Sequence, residues 1–184
     1  MLGMRQYVRD AFNATNTDKG YFHEYEHMYA NIFSSFEPSS ILEIGVRQGH
    51  SIRAWQKLFP NARVVGLDIK ETALIEGPNF EYVIGDSTDP TVAAKLGKFD
   101  LVIDDGSHHI LDQILTFHNF KDSFNYAFVV EDISFARHPH PGSEHSIRVL
   151  MACIQKCGFK GIARFESYNA RNPSCSLVVQ SKDF

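Results

Sequence analysis

Residues 40–68 read SILEIGVRQGHSIRAWQKLFPNARVVGLD. The apolar run Ile41-Leu42-Glu43-Ile44 has the length of a buried strand, and Gly45 and Gly49 bracket a turn that passes into a helical pattern near His50 or Ser51. A second apolar run, Val64-Val65-Gly66-Leu67, stops at Asp68. The order strand, turn, helix, strand predicts a parallel pair with an acceptor side chain at its carboxyl edge. In open α/β sheets that edge is where ligands sit.

Gly45 and Gly49 let the backbone turn tightly and approach a ligand, while the following helix offers free N–H groups. Asp68 stands where a ribose diol would meet a carboxylate. Two ligand chemistries share this layout. Dinucleotide binding wants G-x-G-x-x-G, and Val46 and Arg47 after Gly45 break that fingerprint. S-adenosylmethionine binding wants E-x-G-x-x-x-G, which Glu43 to Gly49 supplies. A tight turn with no ligand is the plain alternative.

The chain has 184 residues, 43% hydrophobic and 22% charged, as expected of one ordinary globular domain over 1–184. Its formal net charge is -4 without a run of Lys or Arg, which argues against a nucleic-acid partner. No apolar run approaches the ~18 residues of a membrane span, and no secretory leader is legible, so a cytoplasmic location is expected. Cys153, Cys157 and Cys175 make an odd count without a paired framework and read as inert thiols.

Ahead of the sheet, residues 1–37 read as a helical segment. Val8, Ala11 and Phe12 recur at helical spacing, Asn13 to Gly20 breaks the pattern, and a second helix is expected from about Phe22 to Phe33. The stretch Thr17-Asp18-Lys19-Gly20-Tyr21-Phe22-His23-Glu24-Tyr25 between them is dense in polar groups. Its residues serve either a ligand or a helix cap with core aromatics. Residues 38–184 then alternate strands and helices. A strand near Glu81–Ile84 ends at Gly85-Asp86, where Asp86 meets the same sheet edge as Asp68. The strand Phe99–Ile103 runs into Asp104-Asp105-Gly106-Ser107-His108-His109, and Ala127–Val130 into Glu131-Asp132. The His- and Pro-rich stretch from Ser134 to Ser146 reads as a loop over the site, followed by a helix to about Cys157. Two final strands, 158–165 and 174–179, form an antiparallel pair. The expected architecture is α/β: a Rossmann-like sandwich whose mostly parallel seven-stranded sheet ends in an antiparallel hairpin.

Neighbouring parallel strands stand ~5 Å apart, so the doublets Asp104-Asp105 and Glu131-Asp132 crowd up to four carboxylates into one volume. Like charges that close cost stability unless a cation neutralises them. Oxygen donors point to a hard divalent ion such as magnesium, with Asp105, Glu131 and Asp132 as candidate ligands. His108 is placed to take a proton from a hydroxyl, the alternative being a helix cap. A non-haem iron site would need an oxygenase barrel instead of this sheet.

Together Thr17-Asp18-Lys19 with His23 and Tyr25, ILEIGVRQGHSIRAW, VVGLDI, VIGD, LVIDDGSHH and VVEDI resemble class I methyltransferases. Within that class they are similar to the metal-dependent O-methyltransferases of macrolide sugars and to cephalosporin-hydroxylase-like proteins. The resemblance covers roughly residues 15–135. It implies S-adenosylmethionine contacts from Glu43, Gly45, Gly49, Ser51, Asp68, Asp86 and Asp104, with Thr17, Lys19, His23 and Tyr25 covering the methionine end. It further implies Mg2+ or another hard divalent cation on Asp105, Glu131 and Asp132, and His108 as the catalytic base. The acceptor it implies is a sugar or glycoside hydroxyl. A second copy of the chain or a companion glycosyltransferase domain would complete the pocket, because the relatives carry segments that this chain does not. Metal-free methylation of another small molecule and a non-catalytic cofactor-binding module are the rival readings.

Overall fold

A computed structural model describes residues 2–71, 75, 77–133, 141–167 and 174–182. The chain runs α1 (Leu2–Thr15), α2 (Asp18–Tyr21), α3 (Glu26–Phe33), β1 (Ser40–Ile44), α4 (His50–Leu58), β2 (Arg63–Asp68) and β3 (Phe80–Ile84). It continues with α5 (Pro90–Leu96), β4 (Phe99–Asp104), α6 (Ile110–Phe120), β5 (Phe124–Val130), α7 (Pro141–Lys156), β6 (Ile162–Ser167) and β7 (Ser174–Gln180). One seven-stranded sheet has the order β3-β2-β1-β4-β5-β7-β6. The pairs of β1 to β5 are parallel, and β7 runs antiparallel to both β5 and β6. The expected sandwich is therefore the observed one.

Strand alternation sorts the side chains into two cores. Ile41, Val64, Leu101, Ile103, Ala127 and Val129 face α1, α3 and α4, where Trp55, Phe12 and Tyr29 are buried to zero exposure. Trp55 packs with its ring centre 4.8 Å from that of Tyr29 and 5.5 Å from that of Phe12. Burying aromatic surface of this size contributes about 2–3 kcal/mol per ring. Leu42, Ile44, Val65, Leu67, Val102, Phe128 and Val130 face the other way, against Phe117, Phe120, Ile147, Leu150 and Ile154 of α6 and α7.

Two local expectations differ from the structure. The helix expected over 22–33 starts later, at Glu26, and a short helix, α2, precedes it and ends at Tyr21. Between them Glu24 has φ of +56°, and the Tyr25 amide donates back to the Lys19 carbonyl at 2.8 Å. Thr17 caps α2 by accepting from the Lys19 amide at 3.4 Å. This break turns His23 and Tyr25 toward the sheet edge. In the second case α7 begins at Pro141 rather than after Ser146, which suits a proline in a first helical turn. Residues 134–140 of the expected loop and the 168–173 connection lie outside the described residues.

Candidate active site

The register sets the site. Ile44 pairs with Asp104, and Asp104 with Val130, so the turns after β1, β4 and β5 leave the sheet side by side. The Asp105 amide donates to Ile44 O and the Glu131 amide to Asp104 O, both at 2.9 Å. Gly45 lies at φ +92°, and a Cβ on it would fall 2.1 Å from the Asp105 carbonyl oxygen. Only glycine allows these two turns to nest.

Above them is a cavity of about 940 Å³. Its wall includes Thr17, His23, Gly45, Ser51, Asp68, Asp86, Asp104, Asp105, His108 and Asp132 from the expected set. Asp68 Oδ2 accepts from the Val46 and Arg47 amides at 2.9 and 3.2 Å, which fixes the turn. Its Oδ1, with one long bond from the Lys70 amide at 3.4 Å, keeps acceptor capacity. Asp86 Oδ1 holds its own turn through Thr88 N and Oγ1 at 2.8 and 2.7 Å. Asp104 is 3% exposed, and burial pushes its carboxyl up to about 7 although the Gly106 amide donates to it. Its Oδ2 is buried with no hydrogen-bond partner among the described residues. An orphaned acceptor in a cavity wall fits a ligand that brings a donor.

Four expected cofactor residues stand elsewhere. Gly49, at φ +72°, is the N-cap of α4 beneath the turn. Glu43, Lys19 and Tyr25 sit behind the cavity wall, because alternation along β1, β4 and β5 sends Glu43, Asp105 and Glu131 toward the N-terminal helices. Glu43 Oε2 accepts from the Trp55 indole at 2.9 Å. Lys19 is 1% exposed, with Nζ 2.5 Å from Asp105 Oδ2 and 3.2 Å from Glu43 Oε1, and it also donates to Glu131 Oε2. Burial works against the ammonium, but Asp105, Glu131 and Glu43 outweigh it and hold Lys19 well above its ordinary pKa. Burial pushes Glu131 well up, with Lys19 opposing and the Asp105 charge adding to the rise.

Tyr29 donates its hydroxyl to Glu131 Oε1, and the Gln113 amide donates to the Glu131 carbonyl at 2.9 Å. Tyr25 donates to Asp132 Oδ1, and burial first, then Asp132, raises its phenol well above 10.0. His23 Nδ1 lies 3.5 Å from Asp132 Oδ1 and 3.3 Å from Ser174 Oγ. The sequence analysis gave Tyr29, Trp55, Gln113 and Ser174 no part in the site. Their only signal was a polar atom on an otherwise apolar position.

On the cavity side Asp105, His108 and Asp132 each offer a ligand atom within 4.8 Å of the other two. His108 Nε2 is 3.9 Å from Asp105 Oδ1. Both His108 and Asp132 hold left-handed backbone, φ +56° and +48°, a conformation that costs energy and gathers at functional sites. The cap of α6 falls on His109, so His108 is not spent on capping. Two carboxylates and an imidazole on a rigid edge fit a divalent cation.

The sheet order is that of the Rossmann-like methyltransferase fold. No family model matches the chain. It is similar to demethylmacrocin O-methyltransferase of Streptomyces fradiae, 34% identical over 124 residues, 59% of this chain and 31% of that protein. It is also similar to a rhamnosyl tetracenomycin-C 2'-O-methyltransferase of Streptomyces olivaceus, 30% identical over 138 residues, 67% of this chain and 36% of that protein. Among solved structures, the MycE methyltransferase of the mycinamycin biosynthetic pathway, in complex with Mg and SAH, superposes with a TM-score of 0.74 at 24% identity. That match covers 95% of this chain and 54% of MycE. The chain thus spans about a third of the length of the curated relatives and half that of the solved one. Among the described residues no helix is long and apolar enough to cross a membrane.

Proposed function

We propose that the chain is an S-adenosylmethionine-dependent, divalent-metal-assisted O-methyltransferase acting on a hydroxyl of a sugar or glycoside. The observation that carries this reading is the shared edge. The nested Gly45 and Asp105 turns bring Gly45, Asp68 and Asp104 and the Asp105, His108 and Asp132 cluster to one cavity, which supports this reading. The relatives named above are sugar O-methyltransferases, and MycE was solved with Mg and SAH.

In this reading Asp68 receives the ribose hydroxyls, Asp86 the adenine end, and Asp104 a donor through its unpartnered Oδ2. Gly45 and Ser51 shape the wall, and Thr17 and His23 cover the methionine end. Lys19, Tyr25, Glu43 and Gly49 hold that wall from behind. Residues 1–37 cover the cofactor and 38–184 form the core. Asp105 and Asp132 would hold the ion from the cavity side, and Glu131, whose oxygens meet Lys19 and Tyr29, would join them only by giving up one of those partners. When bound, S-adenosylmethionine supplies an electrophilic methyl group, and the ion supplies the positive charge that acidifies a neighbouring hydroxyl. His108 accepts the hydroxyl proton, and the cavity aligns the acceptor oxygen with the methyl group. A second copy or a glycosyltransferase domain supplies the remaining acceptor walls.

A labelled-methyl assay over a panel of glycosides, with and without excess chelator, tests this. Transfer that requires Mg2+ and disappears in Asp105→Ala and Asp132→Ala, with cofactor affinity within about threefold of wild type, is expected. Full transfer in excess chelator rules out the ion. Cofactor binding without transfer to any panel member leaves a binding module.

A further inference from the structure

Lys19 has no route to solvent, being 1% exposed, yet it brings a cation into a nest of acids. Three carboxylates, one from β1 and two from the turns after β4 and β5, reach its Nζ: Glu43 at 3.2 Å, Asp105 at 2.5 Å, and Glu131. Both oxygens of Glu131 are thereby committed, Oε2 to Lys19 and Oε1 to the Tyr29 hydroxyl. Asp105 divides its two oxygens, with Oδ2 on Lys19 and Oδ1 facing His108. The lysine and a divalent ion would therefore share Asp105 from opposite sides, and an ion could reach Glu131 only by displacing Lys19 or Tyr29 from it.

We propose that Lys19 is a positioning residue that acts as a built-in counter-cation. It holds Asp105 and Glu131 in place in the ion-free protein, and it sets divalent affinity by competing for their oxygens. The inference rests on the ion site assigned above. With Asp132 the cluster has four carboxylates against one ammonium, so it stays formally negative and still attracts an ion. Removing a buried partner of this kind strongly destabilises a fold, because the remaining charges are left uncompensated. A divalent ion can supply that compensation where an apolar side chain cannot. Lys19 also lies in α2, whose neighbours Thr17, Asp18 and Tyr21 line the cavity. A change in its partners is thus transmitted to the cavity wall.

The test is Lys19→Met in the full chain, read by thermal unfolding and by titration calorimetry with Mg2+ and Mn2+. The ion-free variant should melt roughly 10 °C lower than wild type. Its divalent affinity should rise by about tenfold, the scale of coupling between two cations sharing ligands. Lys19→Arg, which keeps the charge, should stay within about threefold of wild type in affinity. If ion-free Lys19→Met does not fold, recovery of a cooperative melt in millimolar Mn2+ is the same result, and failure to recover overturns the proposal. Unchanged or weaker affinity in a folded Lys19→Met also overturns it. Wild type that binds neither ion defeats the ion-site reading itself, and is distinguished from the lysine result by that control.

Discussion

A Cβ placed on Gly45 would lie 2.1 Å from the carbonyl oxygen of Asp105, so the turn after β1 and the turn that carries Asp105 touch backbone to backbone. Gly45→Ala must then either separate β1 from β4 or twist a residue at φ +92°. The expected cost is about 2–4 kcal/mol of stability, with loss of S-adenosylhomocysteine binding. Gly97→Ala is the control, since Gly97 also has positive φ, +76°, but open space around its Cβ position. It should cost about 1–3 kcal/mol through backbone strain alone and leave binding unchanged. Denaturant unfolding and calorimetry on the two variants separate close approach from backbone strain.

His108 combines a left-handed φ of +56° with a ring that lines the cavity beside Asp105. Asparagine tolerates that backbone better than other residues do, so His108→Asn removes the imidazole while sparing the turn. Under the proposed mechanism kcat should fall by about 10²–10⁴. Cofactor affinity and thermal stability should stay near wild type. A kcat within a factor of about three of wild type removes His108 from the proton transfer.

The shared sheet edge was legible in the sequence, but the face was not, since Glu43 was expected at the cofactor and stands instead beside Lys19 and Trp55. Alternation along Ile41-Leu42-Glu43-Ile44 sends Glu43 to one face, and the same parity from Leu101 and Val129 sends Asp105 and Glu131 after it. What the alternation could not give was their partner. Lys19 lies 86 residues before Asp105 and 112 before Glu131, and only packing of α1 to α3 over the sheet brings it there. Local pattern misled at 22–33 for a related reason. Tyr25, Met28, Tyr29, Ile32 and Phe33 keep helical spacing, but the helix begins only at Glu26, and the left-handed Glu24 before it lies between His23 and Tyr25, which both approach Asp132. The left-handed Asp132, which turns its carboxylate away from the Lys19 side, likewise follows from tertiary contacts that no neighbouring residue announces.

Phe22 is 40% exposed in the cavity wall, and its ring centre is 5.1 Å from that of His23, which itself approaches Asp132. Under the proposed function, a half-exposed aromatic beside the Asp105, His108 and Asp132 cluster would offer the apolar face of a sugar ring a flat surface. Phe22→Ala should raise KM for a glycoside acceptor by roughly tenfold, as expected for losing part of an aromatic contact. KM for S-adenosylmethionine and kcat should hardly change. Steady-state kinetics with each substrate varied in turn checks the split, and a rise confined to the cofactor KM reassigns Phe22 to the donor.

Glu26 ties the N-terminal layer together, since its Oε1 accepts from Arg9 Nη2 at 2.7 Å and Arg5 Nη2 at 3.3 Å, joining α3 to α1. Burial tends to raise its carboxyl, but the Arg9 and Arg5 hydrogen bonds prevail and hold it below its ordinary value of 4.5. A carboxylate held low in the folded state binds fewer protons than in the unfolded chain. Its contribution is therefore fully present above the unfolded pKa and is lost as pH falls through the folded one. Glu26→Gln should cost about 1–2 kcal/mol at pH 7, a partly solvated pair being worth less than a buried one. The same variant should lose less stability than wild type between pH 5 and pH 3, the window set by a depressed glutamate. Urea unfolding at the three pH values measures both effects. Parallel pH profiles for wild type and variant would show that the clamp on α1 does not depend on the Glu26 charge.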